Sequence, residues 1–344
     1  MTSLPIGSYP TPVERVLVGS EGGSGANPLW IKRDDATHPD YGGNKVRKLE
    51  HVLREALQKG HRKLLTVGAA GSHHVLATAL FGRRAGFEVH AVLVPQPQTP
   101  AGPTNLRAAL AQGLQPHAAS NWVTAGAKLA TLRDDATTFV AVGGSDVPGT
   151  RGYVDAAHEL ARQVEAGELP EPSRIFVTLG SGGTAVGLAL GLAQTTLKTR
   201  VVGVCIADPA AVIRKYARWL LGRVAALIAP DARGRVAKAA LERLTFSRDF
   251  LGKGYGHATD AGAAATRAAR SVGITLDPTY TAKGFAAVLS ALEGTEPTAS
   301  TPVSGVSGDG EPLLYWHTLS SAPLEPLLVG ATPELPPELE RLFR

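Results

Sequence analysis

One short basic segment, Gly42-Gly43-Asn44-Lys45-Val46-Arg47-Lys48-Leu49-Glu50, carries the residues best suited to chemistry. Its two glycines allow a sharp turn, and Asn44 suits a helix N-cap. We therefore expect Lys45 in the first helical turn, where the helix dipole disfavours a cation and lowers the pKa of the amine. Imine chemistry requires such a lysine. Lys48 follows three residues later on the same face, so one amine could hold an aldehyde while the other lies near a phosphate. The alternative for this segment is a solvated basic helix start.

A second signal is the glycine loop Thr178-Leu179-Gly180-Ser181-Gly182-Gly183-Thr184, which joins a predicted strand to a predicted helix. Glycines let backbone N–H groups approach an anion closely, and a helix N-terminus supplies partial positive charge. Ser181 and Thr184 add hydroxyl donors. The alternative is an ordinary turn between strand and helix. The loop matches neither a Walker A loop nor the Gly-x-Gly-x-x-Gly opening of a first βα unit, so the predicted anion is a single phosphate group.

The elements around these segments alternate between short β-branched runs and helical patterns. That alternation is typical of βαβ units, so the predicted fold class is α/β with parallel sheets. We predict strands at 29–33, 63–67, 88–94, 139–142, 174–179, 200–207 and 274–276. We predict helices from 44 to about 60, at 73–85, 105–112, from 183, over 210–245, near 260–271 and at 281–292. Residues 293–312, rich in Pro, Ser, Thr and Gly, should form an exposed loop.

Composition narrows the class of protein. A chain of 344 residues exceeds what one hydrophobic core usually supports, so two lobes are expected. The +5 net charge is scattered and no stretch alternates basic with aromatic residues, which favours a small anionic ligand over nucleic acid. Cys205 is the only cysteine, which excludes an intrachain disulfide. Residues 1–10 do not resemble a signal peptide and the longest apolar run, 175–193, is interrupted by glycines, so we expect a cytoplasmic enzyme without a membrane span.

The lysine segment resembles the Schiff-base lysine motif of the aminocyclopropane-carboxylate deaminase and D-cysteine desulfhydrase family. These are pyridoxal 5'-phosphate enzymes with the tryptophan synthase β-like fold, also called fold type II. The resemblance covers most of the chain and includes 9–15, 30–35, 143–145, 152–154, the glycine loop, 254–256 and 277–283. It implies a larger cofactor-binding domain of residues 1–47 and 156–344, and a smaller domain of residues 48–155. It also implies a homodimer that acts on a small amino acid.

Carried over position by position, the resemblance implies roles for individual residues. Lys45 would hold the cofactor as a Schiff base and shuttle a proton, and Gly180 to Thr184 would cradle the phosphate. Ser72 would lie near the substrate carboxylate and the cofactor. Tyr255 and Tyr280 would lie beside the substrate. The alternative for Tyr255 is an ordinary tyrosine in a glycine-rich loop, and Tyr280 could simply precede a helix capped by the next residue.

Thr281 favours one reaction over another. The resemblance places this residue opposite the pyridine nitrogen of the cofactor, where the deaminases have a glutamate. A threonine hydroxyl can only form a hydrogen bond, which fits a neutral nitrogen and the desulfhydrase branch. We therefore expect α,β-elimination to a 2-oxo acid and ammonia, with aminocyclopropane-carboxylate deamination as the alternative. A catalytically silent pyridoxal-phosphate-binding protein is the third possibility.

Departures from the family lie near the substrate. His73 follows Ser72 where the family has an asparagine that bonds the phenolic oxygen of the cofactor, and a histidine can still donate to that oxygen. His74 comes next. For His73 and His74, contact with the cofactor and structural packing are the two alternative roles. Leu319 and Ser320 replace a late glycine pair. The acidic residues before the lysine are expected to be solvated: Asp34, Asp35 and Asp40.

Overall fold

Two β-sheets organise the computed structural model, which describes residues 4–19, 26–207, 210–295, 311–330 and 334–343. The larger sheet has six strands, β1 (Val13–Gly19), β2 (Ala26–Lys32), β7 (Arg174–Leu179), β8 (Arg200–Cys205), β9 (Leu244–Ser247) and β10 (Leu313–Trp316). Their order is β1-β2-β10-β7-β8-β9, and only the β1–β2 pair is antiparallel. The smaller sheet is fully parallel in the order β5-β4-β3-β6, with β3 (Lys63–Ala69), β4 (Glu88–Val94), β5 (Gln115–Ala118) and β6 (Thr137–Val140).

Helices cover both faces of each sheet, because successive strand residues point to opposite sides and both sides are apolar. On the smaller sheet, α1 (Asn44–Gln58), α2 (His73–Arg84) and α3 (Gly102–Ala111) pack on one face and α4 (Trp122–Leu132) on the other. On the larger sheet, one face carries α5 (Val147–Glu165), α6 (Gly183–Leu192), α7 (Ala210–Ile228) and α8 (Arg233–Arg243). The opposite face carries α9 (Asp260–Ser271) and α10 (Thr281–Leu292). A short helix, α11 (Pro337–Glu340), lies near the end of the chain.

The predicted α/β class with parallel sheets is confirmed, and two predicted elements are wrong. Residues 274–276 form no strand: Ile274 and Leu276 are buried in the core beneath α9 and α10, and a short apolar run does not distinguish a buried connection from a strand. The predicted helix 210–245 is two helices followed by strand β9. Within the predicted loop 293–312, residues 296–310 lie outside the described residues.

The boundaries of the two predicted domains lie within helices. Those at 47/48 and 155/156 fall inside α1 and α5, which pack against each other between the two sheets. The division therefore stays a prediction. Within the described ranges, no helix combines the length and apolar character needed to cross a membrane.

Candidate active site

A cavity of about 700 Å³ opens where the carboxyl ends of parallel strands from both sheets meet. This end of a parallel sheet is where α/β proteins usually bind ligands, since the loops that follow the strands converge there. Most of the predicted site residues line it: Lys45, Lys48, Ser72, His73, Gly180, Ser181, Gly182, Thr184, Tyr255, Tyr280 and Thr281. Gly183 belongs to the same glycine loop but does not line the cavity.

The lysine segment enters the cavity through Gly43, which occupies the N-cap position of α1 with a φ of 92°. A side chain there would place its Cβ 2.6 Å from the carbonyl oxygen of Thr318. Asn44 is consequently the first residue of the helix, and the predicted N-cap at Asn44 is wrong. Its amide instead accepts a hydrogen bond from Lys45 Nζ at 2.5 Å and donates to Thr184 Oγ1 at 3.1 Å. Asn44 thus connects the lysine to the glycine loop, a role that the sequence did not indicate.

Two amines at this site lack an anionic partner. Burial lowers the pKa of Lys45 to about 8. The direction agrees with the prediction from the sequence, but the cause is burial and not the helix dipole. Burial, followed by the neighbouring charge of Lys45, holds the pKa of Lys48 well below its usual value. Lys48 Nζ donates to the carbonyl oxygen of Gly143 and to Ser145 Oγ, each at 3.1 Å. In the described part of the chain, neither amine forms an ion pair with a carboxylate, so the site suits an anion.

The glycine loop lies beside the second of these amines at the N-terminus of α6. Ser145 connects the two, because its hydroxyl lies 2.7 Å from Ser181 Oγ and accepts a hydrogen bond from the N–H of Gly183 at 3.0 Å. The hydroxyl of Tyr216 in turn donates to the carbonyl oxygen of Ser145 at 2.7 Å. Ser145 was missed as a site residue, although it belongs to the Gly143-Gly144-Ser145 segment of the family resemblance. Glycine backbone, hydroxyls and a buried amine together fit a phosphate group.

His73 is held by a tyrosine from the loop before α1. Tyr41 is buried, which raises its pKa, and its protonated hydroxyl lies 2.6 Å from His73 Nδ1, within hydrogen-bond distance. Burial lowers the pKa of His73, which favours the neutral imidazole at pH 7. Asn105 Nδ2 donates to the carbonyl oxygen of Gly71 at 3.0 Å and lies 3.5 Å from Nε2, at the limit of hydrogen bonding. In the tautomer whose Nδ1 accepts from Tyr41, His73 presents its Nε2–H as a donor on the cavity lining.

His74 and Ser72 have structural partners as well as positions on the cavity wall. The Thr66 hydroxyl donates to the carbonyl oxygen of Val140, so it must accept from His74 Nε2; both distances are 2.8 Å. Burial holds the pKa of His74 well below its usual value, and the neutral ring has no hydrogen-bond partner for Nδ1 among the described residues. Ser72 is the N-cap of α2, and its hydroxyl accepts from the N–H of His74 at 3.2 Å.

Two tyrosines and a threonine also line the cavity. The hydroxyl of Tyr280 accepts a hydrogen bond from the N–H of Gly180, and burial raises its pKa. Desolvation of its hydroxyl raises the pKa of Tyr255 to about 12, although 40% of the residue remains exposed. Thr281 is fully buried and begins α10, but its hydroxyl accepts from the N–H of Asp277 at 2.7 Å and does not cap the helix. The predicted cap is wrong because the Thr281 hydroxyl accepts from the N–H of Asp277 in the preceding turn and from no N–H at the start of α10.

The acidic residues before the lysine are buried in two of three cases, contrary to the expectation of solvation. Asp34 is 0% and Asp35 is 1% exposed, whereas Asp40 is exposed. Arg33 donates two hydrogen bonds to the Asp35 carboxylate, each 2.8 Å long. Both carboxylates can be buried because cations compensate their charge.

Asp34 belongs to a buried charge cluster behind the lysine segment, formed by Asp34, Arg47, Glu159 and Lys32. Arg47 donates to Asp34 at 2.8 and 2.9 Å, and to Glu159 at 2.9 and 3.0 Å. Lys32 Nζ reaches Glu159 Oε1 at 2.5 Å. The hydroxyl of Tyr153 also donates to Asp34, at 2.6 Å. Because Arg47 follows Lys45 by two residues, the cluster ties the start of α1 to strand β2 and helix α5.

The residues that replace the late glycine pair contact the lysine segment. The hydroxyl of Ser320 accepts a hydrogen bond from the N–H of Gly42 at 2.9 Å, and Leu319 lines the cavity. This loop therefore supports the turn that precedes Lys45.

Comparisons with known proteins agree with this geometry. A family model described as "Pyridoxal-phosphate dependent enzyme" matches residues 5–308. A D-cysteine desulfhydrase from Salmonella newport is 32% identical over 316 residues, covering 83% of this chain and 88% of that protein. The crystal structure of an ACC deaminase homologue superposes with a TM-score of 0.71 at 26% identity, covering 92% of this chain and 91% of that chain.

A more distant structure shares the fold alone. The L-serine ammonia-lyase from Rhizomucor miehei superposes with a TM-score of 0.60 at 18% identity, covering 93% of this chain and 95% of that chain. The family resemblance and the fold type II architecture expected from the sequence are confirmed, and so is an enzyme of elimination or deamination. The chain belongs to the family of pyridoxal-phosphate-dependent enzymes, and its cofactor is pyridoxal 5'-phosphate.

Proposed function

We propose that this enzyme removes the β-substituent of a small amino acid and yields a 2-oxo acid and ammonia, as a D-cysteine desulfhydrase does. Thr281 is the observation that carries the proposal. Its buried hydroxyl already accepts a hydrogen bond from the N–H of Asp277, so its own proton remains to be donated. Such a donor suits a neutral pyridine nitrogen, whereas a carboxylate would hold that nitrogen protonated.

A neutral nitrogen makes the cofactor a weaker electron sink. Expelling a good leaving group such as sulfide needs less electron withdrawal than opening a cyclopropane ring, so the threonine favours elimination. Bound at this site, pyridoxal phosphate would take up the electron pair left at the α-carbon of the substrate. All other steps fall to side chains of this chain.

The lysines and the glycine loop would hold the cofactor. We assign the covalent attachment to Lys45. Once the amino group of the substrate has displaced it, the freed Lys45 amine would accept the α-proton of the substrate, as its pKa of about 8 allows near neutral pH. The phosphate would lie against the glycine loop 180–184 with Lys48 as its cation. The Nε2–H of His73 would donate to the phenolic oxygen of the cofactor.

The remaining polar residues would handle the substrate. Ser72 lies at the N-terminus of α2, where a substrate carboxylate would find both a hydroxyl and the positive end of the helix dipole. Tyr255 and Tyr280 stay protonated near neutral pH because burial raises their pKa values. They can therefore donate a proton or a hydrogen bond to the departing substituent. The Cβ–substituent bond breaks, the substituent leaves with the electron pair, and water then releases ammonia from the three-carbon remainder.

The test is direct turnover. Purified protein supplied with pyridoxal phosphate is incubated with D-cysteine, L-cysteine, D-serine or aminocyclopropane carboxylate, and 2-oxo acid is measured together with sulfide. We expect pyruvate and sulfide in equal amounts from cysteine. Faster release of 2-oxo acid from aminocyclopropane carboxylate would overturn the proposal in favour of deamination. Bound cofactor without turnover of any amino acid would indicate a silent binding protein.

We also propose that the enzyme is a cytoplasmic homodimer, and that residues 48–155 form a domain distinct from residues 1–47 and 156–344. Exposed apolar side chains on α7 and α8 support an interface with a second copy: Trp219 is 54%, Leu227 is 52% and Leu241 is 43% exposed. Sedimentation equilibrium would separate dimer from monomer, and Trp219→Glu should shift a dimer toward monomer.

A further inference from the structure

One fully buried lysine does not line the cavity. Lys283 lies in the first turn of α10, two residues after Thr281, and is 0% exposed. A helix N-terminus disfavours a cation, and a buried ammonium without partners is costly. Burial lowers the pKa of Lys283, and the charge of Asp277 offsets this only in part. Because Lys283 forms no ion pair with a carboxylate among the described residues, another interaction must compensate its charge.

The compensation comes from two backbone carbonyls in the loop between β9 and α9. Lys283 Nζ donates to the carbonyl oxygen of Leu251 at 2.8 Å and to that of Gly254 at 2.7 Å. Each of these carbonyls also accepts the hydrogen bond of a turn. The Leu251 carbonyl accepts from the N–H of Gly254 at 3.2 Å, and the Gly254 carbonyl accepts from the N–H of His257 at 3.5 Å. The ammonium thus ties two consecutive turns to the start of α10.

Tyr255 lies in the second of these turns and lines the cavity. We refer to residues 251–257 as the tyrosine loop. Three of its residues have a φ between 58° and 100°, namely Gly252, Gly254 and Gly256. Glycine backbone is conformationally permissive, and 40% of Tyr255 is exposed, so neither the loop backbone nor packing around the ring fixes the tyrosine. The two hydrogen bonds from Lys283 supply the missing restraint.

We propose that Lys283 is a positioning residue, which holds the tyrosine loop so that the Tyr255 hydroxyl can donate its proton to the departing substituent. This inference rests on the proposed elimination, and it selects Tyr255 from the two candidate donors. The proton passes from the Tyr255 hydroxyl to the substituent as the bond to Cβ breaks, and solvent returns a proton to the phenolate. Lys283 contacts the loop and not the substrate, so it determines how often Tyr255 is in place.

The test is a double-mutant cycle in the cofactor-loaded enzyme, with release of 2-oxo acid from cysteine as the assay. Lys283→Met retains the side-chain length and removes the ammonium. It should lower kcat by about 10- to 100-fold, because a displacement of roughly 1 Å costs a rate of that order. KM should stay within about twofold, since Lys283 lies outside the cavity lining.

The second arm of the cycle repeats the substitution in a Tyr255→Phe background. Tyr255→Phe alone should lose at least as much kcat as Lys283→Met. Adding Lys283→Met to it should change kcat by less than about twofold, because the hydroxyl that the lysine positions is already absent. Lys283→Gln keeps a side-chain N–H donor for the carbonyls and should therefore lose less kcat than Lys283→Met.

Lys63→Met is the matched control. Lys63 also holds a loop by a backbone carbonyl, that of Leu132 at 2.9 Å, but it lies at the amino end of β3 and outside the cavity lining. Its substitution should leave kcat unchanged. Hydrogen–deuterium exchange gives a readout that does not require turnover. Exchange in the tyrosine loop should be about tenfold faster in Lys283→Met and unchanged in Lys63→Met, because only the former loses the restraint on this loop.

The outcomes separate this inference from the proposed function. An unchanged kcat in Lys283→Met would overturn the positioning role, and so would an equal loss with and without the Tyr255 hydroxyl. Tyr255→Phe with the activity of wild type would overturn it as well. If Lys283→Met does not fold, Lys283→Gln enters the same cycle, with the same refuting outcomes. If the wild-type enzyme releases no 2-oxo acid from cysteine, the proposed elimination fails; faster exchange in the tyrosine loop would then still support the tether, and unchanged exchange would refute it.

Discussion

Arg47→Met is the substitution whose effect the structure defines best. Arg47 is 3% exposed and donates four hydrogen bonds to two buried carboxylates, those of Asp34 and Glu159. Methionine retains much of the side-chain volume but removes the guanidinium. The two carboxylates then keep only Lys32 as a nearby cation within the buried charge cluster.

Removing one partner of a buried ion pair leaves an uncompensated charge, which typically costs about 3–5 kcal/mol. We expect Arg47→Met to lower the free energy of unfolding at pH 7 by that amount. The matched control is Arg84→Met, because Arg84 pairs with Asp40 at 2.7 Å while both side chains are 46% exposed. An exposed pair contributes about 0–1 kcal/mol, so this control should lose no more than that.

The loss should depend on pH. Burial acts to raise the pKa values of Asp34 and Glu159, but Arg47 and Lys32 together outweigh it and hold both pKa values below their usual range in the folded protein. The stability that these carboxylates contribute is therefore present above their unfolded pKa values of about 4, and it is lost as the pH falls through the folded values. In Arg47→Met both carboxylates protonate more readily, so the difference between variant and wild type should narrow from pH 7 to pH 4.

Urea unfolding monitored by tryptophan fluorescence measures this difference, and Trp316 is a local probe because its indole N–H donates to Asp34 at 2.6 Å. If Arg47→Met does not fold, Arg47→Lys retains the charge without the bidentate geometry and should give an intermediate loss. Equal losses in Arg47→Met and Arg84→Met would refute the reasoning, as would a difference from wild type that does not vary with pH.

Three further predictions concern the lysine and the glycine loop. Lys45→Ala should lower the rate of 2-oxo acid release by about 10²–10⁴-fold, whereas the exposed Lys59→Ala should match wild type. Only the deprotonated amine attacks an aldehyde. The rate at which cofactor-free protein captures pyridoxal phosphate should therefore increase with pH, with a midpoint at about pH 8. A flat rate profile between pH 7 and 9 would contradict the low pKa of Lys45. Gly183→Ala places a Cβ 2.5 Å from Ser145 Oγ and should weaken binding of pyridoxal phosphate about tenfold by calorimetry, while Gly126→Ala, which has open space around its Cα, should not.

Local signals account for the part of the site that the sequence predicted. The lysine segment and the glycine loop each combine a turn with a helix start, so residue type and spacing alone indicate an amine and an anion cradle. Strands β4 and β7 and helices α9 and α10 have the predicted bounds, because their hydrophobic patterns are bounded by clear stop signals.

The parts that the sequence did not predict depend on distant partners. Asp34 was expected to be solvated, but Arg47 compensates its charge and Tyr153, 119 residues away, donates a hydrogen bond to it. Ser145 became part of the site only when the fold placed it against Lys48 and Gly183. Asn44 changed role because the φ of Gly43 allows the helix to start one residue earlier than an asparagine cap would.

The two unpaired amines have a consequence for how protein and solvent exchange protons. Without an anion, burial and the charge of Lys45 favour the neutral form of Lys48, and burial lowers the pKa of Lys45 to about 8. A phosphate dianion that enters the site stabilises the charged form of Lys48, so binding draws a proton from solution. Affinity for a phosphate-bearing ligand that forms no covalent bond with Lys45, such as inorganic phosphate, must then fall as the pH rises above neutrality, and the heat of binding must change with the ionisation enthalpy of the buffer. The site thus links the retention of its ligand to the acidity of its surroundings.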